Sequence, residues 1–138
     1  FLLFFFLSLF SFGFSLFSKK NVVCLDGDGS IIMHMGSLKS IGLEGKENFR
    51  HILFNNNCHD SVGGQKTNAF NINFEKLVNS LGYKKYFKIS DEKNIKRVLS
   101  DFLKKKGPVF LEVICDQNKD KNLPRPKKLI QIKQEFCK

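Results

Sequence analysis

Asn21-Val22-Val23-Cys24-Leu25 runs straight into Asp26-Gly27-Asp28-Gly29-Ser30, so a short apolar run meets a glycine turn. Asn21 to Leu25 has the length and composition of a buried strand. From Ser30 the period changes. Ile31, Met35, Leu38 and Ile41 recur at three- and four-residue steps, which predicts a helix closed by Gly42 and Gly45.

The same unit repeats outward from this point. His51 to Phe54 reads as a second buried strand and runs into Asn55-Asn56-Asn57. Cys58 to Phe70 is a polar loop with backbone freedom at Gly63-Gly64. Asn73 to Leu81 has the apolar stripe of a helix, with Gly82 as its stop, and Tyr86 to Ile89 is a third strand. Ser90 is the expected N-cap of the next helix, with Asp91 and Glu92 at its positive end. Ile95, Val98, Leu99, Phe102 and Leu103 give its buried face, Lys104 to Lys106 its C-terminal charge, and Gly107-Pro108 its stop. Val109 to Ile114 is a fourth strand, and a short helix is expected near Ile130 to Phe136. Apolar strands alternating with amphipathic helices predict an α/β fold: a three-layer parallel sheet with helices on both faces.

The 138 residues allow one modest domain. Phe1 to Phe17 holds eight of the 16 phenylalanines, so the chain divides into residues 1–20, an apolar Phe/Leu/Ser segment, and 21–138, the domain proper. The segment lacks the basic leader of a signal peptide and is at the lower limit for a membrane span. A truncated edge or a reading-frame artefact is expected ahead of a membrane anchor. The formal charge is +10, but the lysines are scattered and no nucleic-acid motif accompanies them, so a solvated surface is expected rather than a nucleic-acid partner. Cys24, Cys58, Cys115 and Cys137 form no close pair, which gives zinc no support. Cys24 and Cys115 lie in apolar runs and read as buried thiols, so a reducing, cytoplasmic setting is expected.

Ligands of parallel α/β folds gather at the carboxyl ends of strands, where Gly27-Asp28-Gly29 and Asn55-Asn56 both fall. Glycines let a phosphate approach the backbone, and a following helix start favours the anion. An acid between them makes sense if a cation intervenes. Mg²⁺ takes oxygen ligands, commonly a carboxylate and phosphate oxygens, and Asn55 or Asn56 offers a neutral amide oxygen. A lone Gly-Asp-Gly is usually an ordinary turn, and a lone Asn-Asn a loop. Both at strand ends, with 25 residues between Gly29 and Asn55, are much more specific.

That spacing resembles the thiamin diphosphate motif. The text from Leu25 to Gly42 and from His51 to Thr67 resembles phosphonopyruvate decarboxylase, as do Gly107 to Val113 and Leu123 to Phe136. The chain also resembles sulfopyruvate decarboxylase, a related family whose corresponding loop differs from His59-Asp60-Ser61-Val62-Gly63-Gly64-Gln65. The resemblance implies a thiamin-diphosphate-binding fold, the pyrophosphate domain, truncated at its N-terminal edge. It implies Asp28, Asn56 and the Cys58 carbonyl as Mg²⁺ ligands, with Asn55 as fallback, and Gly27, Asp28, Gly29, Ser30, Asn56 and Ser61 as cofactor-binding residues. His59 and Gln65 are candidates for touching substrate. Members of this family usually carry Gly where Asn57 stands and Pro where Lys66 stands.

The implied activity is that of a carboxy-lyase: decarboxylation of a 2-oxo acid, phosphonopyruvate to phosphonoacetaldehyde first, with a sulfopyruvate-type subunit or an inactive remnant as alternatives. A pyrimidine-binding domain or subunit is the implied partner, in a homo- or hetero-oligomer. The isolated chain is expected to be inactive.

Overall fold

Strands and helices alternate as their apolar periods require: α1 (Leu7–Phe17), β1 (Val22–Gly27), α2 (Asp28–Met33), α3 (Met35–Glu44), β2 (Phe49–Asn55), β3 (Cys58–His59), β4 (Gln65–Lys66), α4 (Phe74–Leu81), β5 (Lys85–Ile89), α5 (Ile95–Lys104) and β6 (Val109–Ile114). The computed structural model describes residues 7–117 together with 130, 134 and 135. Cys137 and most of the stretch from Leu123 to Phe136 lie outside the described residues.

β1, β2, β6 and β5 form one parallel sheet in that order, and β3 and β4 form a small antiparallel pair. Alternation along the strands feeds two cores. Cys24, Phe49, Leu53 and Phe110 meet Phe12 of α1, Ile31 of α2, Leu38 and Ile41 of α3, and Phe74 and Val78 of α4. Ile52, Ile89, Val109 and Leu111 meet Phe102 of α5 on the other face. The result is the three-layer α/β architecture, with helices on both faces of a four-stranded parallel sheet. On the α5 face, β1 leaves Val23 and Leu25 half exposed. Buried Arg50 ties the layers together, its guanidinium donating to the carbonyls of Glu47, Phe49 and Leu103, the last near the end of α5.

The described part of the Phe-rich run is helix α1, packed on the sheet. Phe12 meets Phe49 edge-on, with ring centroids 6.3 Å apart. The Asn48 amide donates to the carbonyls of Ser15, Ser18 and Lys20 and so holds the connection to β1. No described helix is long and apolar enough to cross a membrane.

Local expectations needed correction. The helix expected from Ser30 begins at Asp28 and breaks at His34, whose backbone leaves the helical region (φ −124°, ψ 32°). Gly42 does not end it. It lies inside α3, where an added Cβ would stand 2.2 Å from the Leu81 carbonyl oxygen. The glycine lets α3 touch the end of α4. Ser90 is not the N-cap: Asp91 accepts from the Lys93 amide and caps a single 3₁₀ turn, Glu92–Asn94, ahead of α5. Cys115 is half buried rather than buried. Met35 packs against the core, whereas Met33, on α2, is 51% exposed.

Candidate functional site

β1 and β2 run in register, with Gly27 beside Phe54, so the residues that follow them emerge at one end of the sheet. Gly27 closes β1, and Asp28 opens α2. The Asp28 carboxylate is buried and accepts a hydrogen bond from the Thr67 hydroxyl. Thr67 closes a loop that begins at Asn56, and its amide donates to the Asn57 carbonyl. The loop is therefore tied to the turn. A Cβ on Gly29 would fall 2.3 Å from the His59 ring, so that imidazole lies directly against the turn. A Cβ on Gly27 would meet nothing within 4 Å, which leaves an open cradle.

The Asn run forms two successive side-chain turns. Asn55 Oδ1 accepts from the Asn57 amide at 3.2 Å, and Asn56 Oδ1 accepts from the Cys58 amide at 3.1 Å. Asn57 takes the left-handed conformation (φ 58°), which Gly adopts freely and Asn tolerates. The Asn56 side-chain NH₂ also donates to the Asp60 carboxylate, and the Asn56 backbone carbonyl accepts from the Gln117 side chain. Asn55, the fallback ligand, has its amide NH₂ committed to Glu112.

The polar loop is more ordered than its composition suggests. Cys58-His59 pairs with Gln65-Lys66 across a 3₁₀ turn, Asp60–Val62, that contains Ser61. Gly63 and Gly64 have φ of +126° and +79°, so the reversal needs both glycines. Gln65 is exposed on this hairpin, and Ser30 is half buried on α2.

Sequence reasoning missed Thr67, Gln117, Glu112 and Tyr86, which reach the site through contacts distant in the chain, and Asp60, which accepts from the nearby Asn56 amide. It also missed a polar cluster in the core. Cys24, Asp26 and His51 bring ligand-type atoms within 4.8 Å of one another. His51 Nε2 lies 3.4 Å from Asp26, and Nδ1 lies 2.9 Å from the Tyr83 hydroxyl. Burial, then Asp26, pushes the Cys24 thiol up to about 12, which makes it an inert thiol. A hollow of about 730 Å³ lined by Lys46, Lys84, Lys105 and Lys106 lies at the opposite end of the sheet, away from all of these groups.

The sequence profile described as "Thiamine pyrophosphate enzyme, C-terminal TPP binding domain" matches residues 10–113. The chain belongs to this family. The match begins within the Phe-rich run and takes in the turn, the Asn run and the Glu112 strand. Phosphonopyruvate decarboxylase of Streptomyces viridochromogenes is 30% identical over 115 residues, covering 83% of this chain and 29% of that protein. The sulfopyruvate decarboxylase beta subunit of Methanothermobacter thermautotrophicus is 33% identical over 101 residues, covering 73% of this chain and 52% of that subunit. The chain thus spans about a third to a half of these relatives' lengths. An X-ray structure of a proposed thiamin diphosphate-dependent enzyme from Mycobacterium smegmatis matches with a TM-score of 0.63 at 18% identity, over 78% of this chain and 21% of that one, and shares the fold.

Proposed function

We propose that this chain supplies the diphosphate- and metal-binding wall of a thiamin-diphosphate- and Mg²⁺-dependent 2-oxo acid decarboxylase, with phosphonopyruvate as substrate. The observation that carries this reading is the seat of Asp28: a buried carboxylate at a strand's end, tied through Thr67 to the loop bearing Asn56 and Cys58. The donor set fits the metal. Asp28, Asn56 and the Cys58 carbonyl are all oxygen donors, which Mg²⁺ prefers, and a carboxylate with neutral oxygens suits a cation already paired with a diphosphate. Gly27, Gly29, Ser30 and Ser61 would hold the diphosphate, and the open space at Gly27 suits close approach.

When bound, the cofactor supplies the electron sink for loss of carbon dioxide. The chain's residues hold and orient. Asp28 would offset the metal's charge, Asn56 would orient it, and His59, packed on Gly29, would face the substrate. Gln65 stands beside His59 across the hairpin. The formal charge of +10 favours approach of an anionic substrate. Activation of the cofactor requires a pyrimidine-binding domain or subunit.

A second reading takes sulfopyruvate as substrate in a two-chain enzyme. It is favoured by the beta-subunit relative, of which the chain covers 52% against 29% of the phosphonopyruvate enzyme. The test is carbon dioxide release from each acid by the chain mixed with a pyrimidine-domain partner. The expected result is turnover of phosphonopyruvate by the mixture and none by the chain alone. Preferential sulfopyruvate turnover establishes the second reading, and turnover by the chain alone contradicts the need for a partner.

A further inference from the structure

We infer that Glu112 is a positioning residue for the Asn55–Cys58 turn, and through it for the metal site; this rests on the function proposed above. Glu112 is 5% exposed on β6, on the same sheet face as Asn55 at the end of neighbouring β2. Asn55, 4% exposed, donates its amide NH₂ to Glu112 Oε1 at 2.7 Å. The Tyr86 hydroxyl, from β5 on the other flank of β6, donates to Glu112 Oε2. A carboxylate only accepts, so it dictates which end of the Asn55 amide faces it. The NH₂ must point to Glu112, and Oδ1 must therefore point to the Asn57 amide, as observed. Reversal of the Asn55 amide would set its carbonyl oxygen against the carboxylate and its NH₂ against a backbone N–H. Glu112 thus holds the left-handed residue Asn57 in place from 55 residues away in the chain. Asn56 and Cys58, which carry the proposed metal oxygens, flank that residue.

The role is separable from general packing. Glutamine at 112 keeps an acceptor for the Asn55 NH₂, and its own NH₂ can donate to the Tyr86 hydroxyl oxygen, so the turn survives. Alanine leaves the buried Asn55 NH₂ without its acceptor and frees the amide to rotate. Tyr86→Phe removes one donor to the carboxylate and leaves the Asn55 contact, so a milder change is expected.

The test measures, for the full chain and its Glu112→Gln, Glu112→Ala and Tyr86→Phe variants, the Mg²⁺ concentration that half-saturates thiamin diphosphate binding. Folding is checked by far-UV circular dichroism, and amide exchange is followed at Asn57. In Glu112→Ala the Mg²⁺ requirement is expected to rise about 10- to 100-fold, the usual effect of losing a group that orients a metal ligand. Glu112→Gln should stay near wild type. The Asn57 amide should exchange about tenfold faster in Glu112→Ala alone, while β2 and β6 amides stay protected. An unchanged Mg²⁺ requirement in Glu112→Ala overturns the inference. So does an equal rise in Glu112→Gln. If the wild-type chain binds no cofactor, the proposed function fails by itself, and Asn57 exchange decides the positioning role: faster exchange in Glu112→Ala upholds it, and unchanged exchange refutes it. Should Glu112→Ala fail to fold, Tyr86→Phe serves in its place. An intermediate rise in Mg²⁺ requirement upholds the inference, and none refutes it.

Discussion

Gly29 and Gly42 are both small for reasons of space, but their neighbours differ. Next to Gly29 stands the His59 ring, a side chain able to swing away. Next to Gly42 stands the Leu81 carbonyl, which is backbone. Gly42→Ala is therefore expected to cost about 1–3 kcal/mol in urea unfolding, as overpacking does. Gly29→Ala is expected to displace His59, and His59→Ala should relieve part of its cost. Their coupling in a double-mutant cycle should be about 0.5–3 kcal/mol. A strictly additive pair would mean that the ring does not rest on the turn. The strand-end position of Gly27-Asp28-Gly29 was legible because a short apolar run leads straight into it. Thr67, Glu112 and Tyr86 were not, because each reaches the site across a long stretch of chain that linear spacing cannot show. Gly42 misled because a glycine near a helix end looks like a stop whether it caps the helix or admits a neighbour.

At the scale of elements, α1 is the least ordinary piece. Its Phe- and Ser-rich text lacks a familiar helix pattern, yet Phe12 enters the main core and Ser15 is fully buried, its hydroxyl donating to the Phe12 carbonyl. Phe12→Ala should cost about 3–5 kcal/mol if α1 is a working part of the core. An unchanged urea midpoint would show that it is not. The central strands β2 and β6 were legible to within a few residues because burial on both faces leaves a near-continuous apolar run. The break at His34 was not, since the apolar period carries on through it from Ile31 to Ile41. The hairpin of β3 and β4 was missed because two-residue strands carry no period. Only Gly63-Gly64 marked the reversal.

For the whole molecule, the alkaline limit of stability follows from the core polar cluster. The Cys24 thiol is raised from its ordinary 9.0 to about 12, first by burial and then by Asp26, and burial raises Tyr83 well above 10.0. The folded chain keeps protons that the unfolded chain releases. Stability is therefore fully present below pH 9.0 and is lost as pH rises from there toward 12. The slope is at most about 1.4 kcal/mol per pH unit for one such group. Cys24→Ala should flatten the first part of that decline in urea unfolding measured from pH 8 to 11, and an unchanged slope would remove Cys24 from the explanation.

The proposed cofactor site lies at the carboxyl end of this sheet, and Asp28 is the residue on which the proposed binding turns. Calorimetry of thiamin diphosphate with and without Mg²⁺, on the chain and its Asp28→Ala variant, with the pyrimidine-domain partner supplied to both, tests that most directly. Binding that requires Mg²⁺ and is lost in Asp28→Ala is the expected result. Binding of equal strength in Asp28→Ala, or binding indifferent to Mg²⁺, would contradict a metal–diphosphate site built on this turn.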